Sequence, residues 1–145
     1  MTRESQVTAG ILLIVLPTVM YGGVTLLTML VSDPRYAANP LRQDLWRAGH
    51  AHAGVLLVLA LVALRYVDET NLGNLMRTVV RSFIPLAAIL MPAGFFLSMA
   101  SPDAERPSAI IALTYVGAAV LAVGVVTLGV GLLRTQRASI PPNRR

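Results

Sequence analysis

Cysteine is absent from the chain, which removes disulfides, thiolate metal sites and thiol nucleophiles together. Lysine is absent too, so all 12 basic residues are arginine. Charge of either sign is scarce, at 13% of residues against roughly 25% in soluble domains. The scarcity is also uneven. Residues 7–31, 48–64, 83–100 and 109–133 contain no charged side chain at all. With 55% hydrophobic residues and a mean hydropathy of +0.67, such a chain has too little polar surface to stay dissolved. The length, 145 residues, is that of one domain.

What fills those uncharged runs is enough apolar helix to cross a bilayer core of roughly 30 Å at ~20 residues per crossing. The second run is short, and Trp46 and Tyr66 at its two ends extend it as interfacial anchors. The fold class expected is therefore all-α, a four-helix transmembrane bundle running up-down-up-down, with helices at about 7–31, 40–66, 79–100 and 108–133 and a basic flexible tail over 134–145. The first run is too long for the core of a signal peptide and is closed by no small-residue cleavage site, so it reads as a retained helix. Asn39 followed by Pro40 supplies an N-cap and a first helical position. The stretch NLGNLMRTVVRSF reads equally well as a short amphipathic helix on the headgroup layer or as the beginning of the third helix. Pro17, Pro85 and Pro92 should each loosen a helical turn. Gly117, Gly124 and Gly131 recur every seven residues and offer one smooth seam to another helix.

The arginines divide unequally. With four spans, the N-terminus, the middle loop and the tail share one side and hold Arg3, Arg65, Arg77, Arg81, Arg134, Arg137, Arg144 and Arg145. The other side holds Arg35, Arg42, Arg47 and Arg106. The positive-inside bias makes this a multi-pass protein of the cytoplasmic membrane with both termini cytoplasmic. The net charge of +5 fits phospholipid headgroups at helix ends, not nucleic acid.

Uncharged polar side chains gather toward the external half: Thr18, Tyr21, Thr25 and Thr28 on one stripe of the first helix, Ser98 and Met99 on the third, Thr114 and Tyr115 on the fourth. They form a polar layer or a shallow pocket. No acidic residue lies within the spans, which argues against an ion or proton pathway.

The chain's two histidines, His50 and His52, fall at the mouth of the second run in WRAGHAHAGVLL. Positions i and i+2 on a helix differ by about 200°, so the two imidazoles point to opposite sides and cannot share one metal ion. Zinc would need three or four ligands that this chain does not assemble. Without cysteine or an acid beside the histidines, a serine or cysteine hydrolase is not expected. Haem demands less: His50 or His52 as one axial ligand, with Met29 or Met99 as the other, would make the protein a carrier of haem b. Otherwise one imidazole turns inward to a hydroxyl of Thr25, Thr28, Thr114 or Tyr115. His50 is the better inward candidate, because Gly54 leaves space one turn below it.

The run GHAHAG resembles the histidine-bearing helices of the haem–copper oxidase subunit I superfamily, a resemblance that implies a single haem ligand and not oxygen reduction. The chain as a whole resembles small four-helix bacterial integral membrane proteins. The function expected is a non-catalytic accessory or oligomer-forming component, a homo-oligomer or a subunit of a larger membrane complex. The alternatives are a haem electron carrier and a pocket for a lipid or quinone.

The arginine division generates the first prediction. Reporter fusions at residue 145 and within residues 103–106 should report opposite sides of the membrane, the tail inside; an external tail would invert the orientation.

Overall fold

In a computed structural model that describes residues 1–138, the chain is all helix and turn, and four of its helices are long and apolar enough to cross a membrane. Helix α1 spans Arg3–Ser32, the single-turn α2 Pro34–Ala37, α3 Pro40–Val67, and α4 Asn74–Ser98. One 3-10 turn over Ala109–Ile111 leads into α5, Ala112–Ala138.

Side-chain caps set several of these boundaries. The Thr2 hydroxyl accepts from the Ser5 amide to start α1. Asp33 accepts from the amides of Arg35 and Tyr36, and Asn39 from that of Arg42, each just ahead of a proline at the first helical position, where the missing N–H costs nothing. The third long helix begins at Asn74, not 79, so the stretch that could have lain on the headgroups is the opening of α4. The apolar face expected there is not the buried one: Leu75 and Met76 are exposed, while Val80 is buried. Both α1 and α4 run uninterrupted through Pro17, Pro85 and Pro92. Helix α5 continues to Ala138, so residues 134–138 of the expected tail are helical; the rest, 139–145, lies outside the described residues.

Thr2, Asp68 and Thr135 mark one end of the molecule, the near end; Asn39 and Ala104, joined by a 3.0 Å hydrogen bond, mark the far end. Consecutive long helices are therefore antiparallel. They also pack in chain order: α1 on α3, α3 on α4, α4 on α5, with a thin α3–α5 contact. The core lies between α3 and α4, where Leu57, Ala60, Leu64, Ile84 and Ala88 are buried. Helix α1 buries only Ser5 and Leu12.

The glycine seam of α5 faces α4, within the chain. A Cβ at Gly117 or Gly124 would stand 2.6 Å from Met91 Cγ or 2.8 Å from Ile84 Cγ1. The tightest approach is reciprocal: a Cβ at Gly94 of α4 would lie 2.3 Å from Thr114 Oγ1 and 2.6 Å from the Thr114 backbone nitrogen. Lipid supplies no hydrophobic drive between helices, so such close backbone packing is what holds them together.

A polar clasp ties α1 down at the near end. The Arg81 guanidinium of α4 reaches Asp68 Oδ1 at 2.6 Å, Ser5 Oγ at 3.0 Å and Thr2 Oγ1 at 3.0 Å, and pairs with Glu4. The Thr2 amide donates to Asp68 at 2.6 Å. Ser5 is fully buried and the Asp68 side chain only 9% exposed. Burial pushes the Asp68 carboxyl up, but hydrogen bonds from Arg81, the Thr2 amide and Ser5 outweigh it and bring the pKa down to about 2.

Two predictions follow from this packing. Gly94→Ala must shift backbone and should lower the unfolding temperature in detergent by the equivalent of ~1–3 kcal/mol. Gly129→Ala, where nothing lies within 4 Å, should be neutral or stabilising by a fraction of ~1 kcal/mol; equal losses would mean that glycine in α5 is not there for packing. For Asp68, the folded pKa of about 2 lies below the unfolded value of about 3.9. The stability it contributes is thus fully present above about pH 4 and lost as pH falls toward 2. Asp68→Asn should flatten the acid limb of a thermal-stability profile across that window, and an unchanged limb would assign acid sensitivity elsewhere.

Candidate functional site

Helix α3 lies between α1 and α4, so its two histidines meet different neighbours. His52 turns toward α4: its Nδ1 bonds the Ala48 carbonyl at 2.7 Å, and its ring lies 5.1 Å from that of Phe95. Engaged with its own backbone and an aromatic face, His52 is a packing residue. His50 turns toward α1 and enters a notch made by adjacent glycines. A Cβ at Gly23 would stand 2.9 Å from His50 Nε2 and 3.0 Å from Cε1; one at Gly22 would be 3.8 Å from Nδ1. Only a backbone without side chains lets the imidazole sit there.

Among the described residues neither ring nitrogen of His50 has a hydrogen-bond partner. Nor are they sealed off: the sealed side-chain nitrogens without partners are Arg42 Nε and Arg77 Nε. His50 instead lines two cavities strung along the α1–α3 seam. The one toward the far end, about 240 Å³, is bounded by Gly23, Leu26, Leu27, Leu30, Tyr36, Arg47 and His50. The other, about 480 Å³, continues toward the near end between Leu16, Val19 and Met20 of α1 and Ala51, Gly54, Val55 and Val58 of α3. The α1 residues recur every three or four positions, which places them on one face, and the same holds for α3. The two cavities therefore lie end to end along one seam, a lateral groove with His50 standing between them.

Tyr36 is 2% exposed, yet its hydroxyl bonds nothing among the described residues. Like the His50 nitrogens, that hydroxyl is not among the sealed side-chain atoms without partners, so it remains open to the cavity it lines. Burial pushes the phenol above its usual pKa, against the opposing pull of Arg47 and Arg42, so it stays a neutral donor. Its ring is fixed 5.7 Å from Trp46, which packs 5.8 Å from Phe96 and donates from Nε1 to the Phe96 carbonyl at 3.1 Å. Arg42 caps the stack, its Cζ 4.2 Å from the Trp46 ring centre, and donates to the Ala100 carbonyl at 3.3 Å, a cation–π arrangement. Arg47 stands one turn before His50 on α3. Its Nε and Nη2 are held by Gln43, and Asp44 approaches Nη2 at 3.6 Å.

The anticipated polar layer does not assemble around His50. The Thr18, Thr25 and Thr28 hydroxyls bond the Val15, Tyr21 and Val24 carbonyls of their own helix, because a helical threonine can satisfy its hydroxyl locally and then face outward. Tyr21 and Tyr115 are exposed. Thr114 reaches the Met91 carbonyl at 3.4 Å across the α4–α5 seam, far along the row from His50. Met99 is fully buried at the end of α4, and Met29 is half-buried on α1. The residues do not fit a haem. That misfit is seen at His50, whose Nδ1–Cε1–Nε2 edge abuts the α1 backbone and leaves no gap for a macrocycle plane.

Tyr36, Arg47 and the Gly22–Gly23 notch are the site residues that the sequence did not single out. The available signals were the position of Arg47 three residues before His50 and an adjacent glycine pair in a helix of otherwise bulky side chains. A further cavity of about 510 Å³ lies between the α2–α3 turn and residues 102–105. It is lined by charges of both signs, Arg35 against Asp103 and Glu105, opens to solvent, and has no unbonded buried group among the described residues. The α1–α3 groove is therefore the candidate site. No known protein family, curated protein or solved structure matches the chain.

Proposed function

We propose that this protein is a non-catalytic membrane protein that takes a lipid-soluble amphiphile from the bilayer into the groove between α1 and α3. The observation that carries the reading is the convergence of His50 and Tyr36, both without hydrogen-bond partners among the described residues, beside Arg47 on one cavity whose remaining walls are leucine and glycine. Binding sites of this kind combine apolar walls with a few polar groups that fix orientation. The groove's rim supports access from lipid, since Met20, Leu27, Val55 and Val58 are exposed along it. The far-end approach is closed by the Arg42–Trp46–Tyr36 stack.

The reading belongs to a protein of the cytoplasmic membrane with the near end, and so both chain termini, inside, as the arginine division favours. An accessory or oligomer-forming role draws no particular support from the broad apolar faces of α1 and α5, which any lipid-facing helix would present.

Gentle purification followed by lipid extraction and mass spectrometry should recover one chain-bearing molecule in stoichiometric amount. Ala51 is exposed on the groove wall, so Ala51→Phe should fill the groove without disturbing the core and abolish recovery. His50→Ala should weaken retention roughly three- to tenfold, the value of one hydrogen bond. The same molecules in the same amounts from wild type and Ala51→Phe would overturn the reading.

A further inference from the structure

We infer that the occupant is a single-chain anionic amphiphile, a long-chain carboxylate, with its head group against Arg47, Tyr36 and His50 and its chain running along the α1–α3 seam toward the near end. This rests on the groove being a binding site and names what it selects.

The lining is polarised along its length. The cavity of about 240 Å³ holds three hydrogen-bonding side chains, Tyr36, Arg47 and His50. In the cavity of about 480 Å³ beyond it, His50 is the one such side chain and the rest of the wall is aliphatic, methionine or glycine. A fitting molecule has all its polar atoms at one end. A quinone carries no charge and would leave the fixed positive charge of Arg47 unmatched. The smaller cavity suits a compact head, and the seam between two helices suits one chain. A glycerophospholipid would have to leave its second chain and most of its head outside.

The polar end is built of donors. A guanidinium donates only and carries a fixed positive charge; a phenol O–H and an imidazole N–H add to it. No carboxylate lines either cavity. Asp44, the acid that approaches Arg47, has a side chain 75% exposed, so its pairing is screened by solvent and weak. Arg47 Nη1 has no partner among the described residues. A head group bringing two acceptor oxygens and a negative charge matches this set, and charge-assisted hydrogen bonds are about twice as strong as neutral ones.

The chain's one tryptophan reports on this head-group end, because Trp46 packs 5.7 Å from Tyr36. The protein in nanodiscs of zwitterionic phosphatidylcholine is titrated with 2-bromopalmitate, whose bromine sits beside the carboxylate and quenches tryptophan at short range. A saturable component of quenching is expected, displaced by palmitate about tenfold more effectively than by its methyl ester. The Arg47 side chain is 57% exposed, so Arg47→Gln leaves the fold intact; it should bring acid and ester to equal potency, and Arg47→Lys should restore most of the preference. If the ester displaces as well as the acid in wild type, and Arg47→Gln changes neither, the anionic assignment is overturned while the groove stands. Should acid, ester and the corresponding alcohol all fail to produce saturable, Ala51→Phe-sensitive quenching, the binding reading fails with it.

Discussion

The clasp of Arg81 to Asp68 fixes where α1 stands, and the rest of the molecule's character depends on that placement. Helix α1 packs along its length on α3 and barely meets α4. The guanidinium nevertheless reaches from α4 to Ser5 and Thr2 of α1, and to the Asp68 carboxylate at the end of α3. It thereby joins three helices at a single point. Charged groups this buried are stable only when fully partnered, and removing one partner leaves the other stranded at a cost of several kcal/mol. The far end of α1 is tied through the Tyr36–Trp46 contact. Between those ties the helix is held by Ala9, Leu12, Leu16 and Val19 against the core and by the glycine notch around His50. It buries only Ser5 and Leu12, and a groove survives on its flank.

The same device, a glycine facing a side chain across a seam, serves two purposes in this row of helices. Between α4 and α5 the glycines receive aliphatic side chains and the Thr114 backbone. The surfaces close, leaving a contact that is dry and continuous. Between α1 and α3 the glycine pair receives an imidazole, a flat polar plate in place of a compact aliphatic group. The plate fills the notch but not the space on either side of it, and those spaces are the two cavities. Packing in lipid depends on shape more than on apolar character, so one histidine among glycines is enough to turn a packing seam into a lined hollow.

Much of the architecture was legible because span length and uncharged composition are decided locally, residue by residue. The Asn39–Pro40 start of α3 was legible for the same reason, since a cap is a contact between near neighbours. The opposite facing of His50 and His52 followed from helix geometry alone. The helix starts around residues 74–79 and the end near 138 were less legible. A helix can run on past the apolar core once a loop or a side-chain bond supports it, as Arg77 does in donating to the Thr70 carbonyl at 2.6 Å. The threonine stripe misled because threonine satisfies itself on its own backbone as readily as across a bundle. The linear order of the helices was also beyond reach. A closed ring would have put Thr114 and Tyr115 near α1 and the histidines; the row sets α3 and α4 between them. Tyr36 escaped notice because its importance is long-range: it sits in a one-turn helix and acquires its meaning only when packed on Trp46.

The two histidines of the opening stretch show how one local pattern divides into different roles. His52 spends its Nδ1 on the Ala48 carbonyl and its face on Phe95, so it has nothing left to offer beyond one ring nitrogen. His50, two residues earlier, is given a notch instead of a partner. Its hydrogen-bonding capacity is thus kept, in a place where keeping it is expensive. A phenol whose hydroxyl bonds nothing among the described residues lines the same small cavity. Two unmet polar groups converging by accident would have been relieved at small cost, for instance by phenylalanine at position 36 or leucine at position 50. Their survival at the head of an apolar groove that opens sideways to the lipid is the physical reason to read it as a place where something from the membrane completes the bonds.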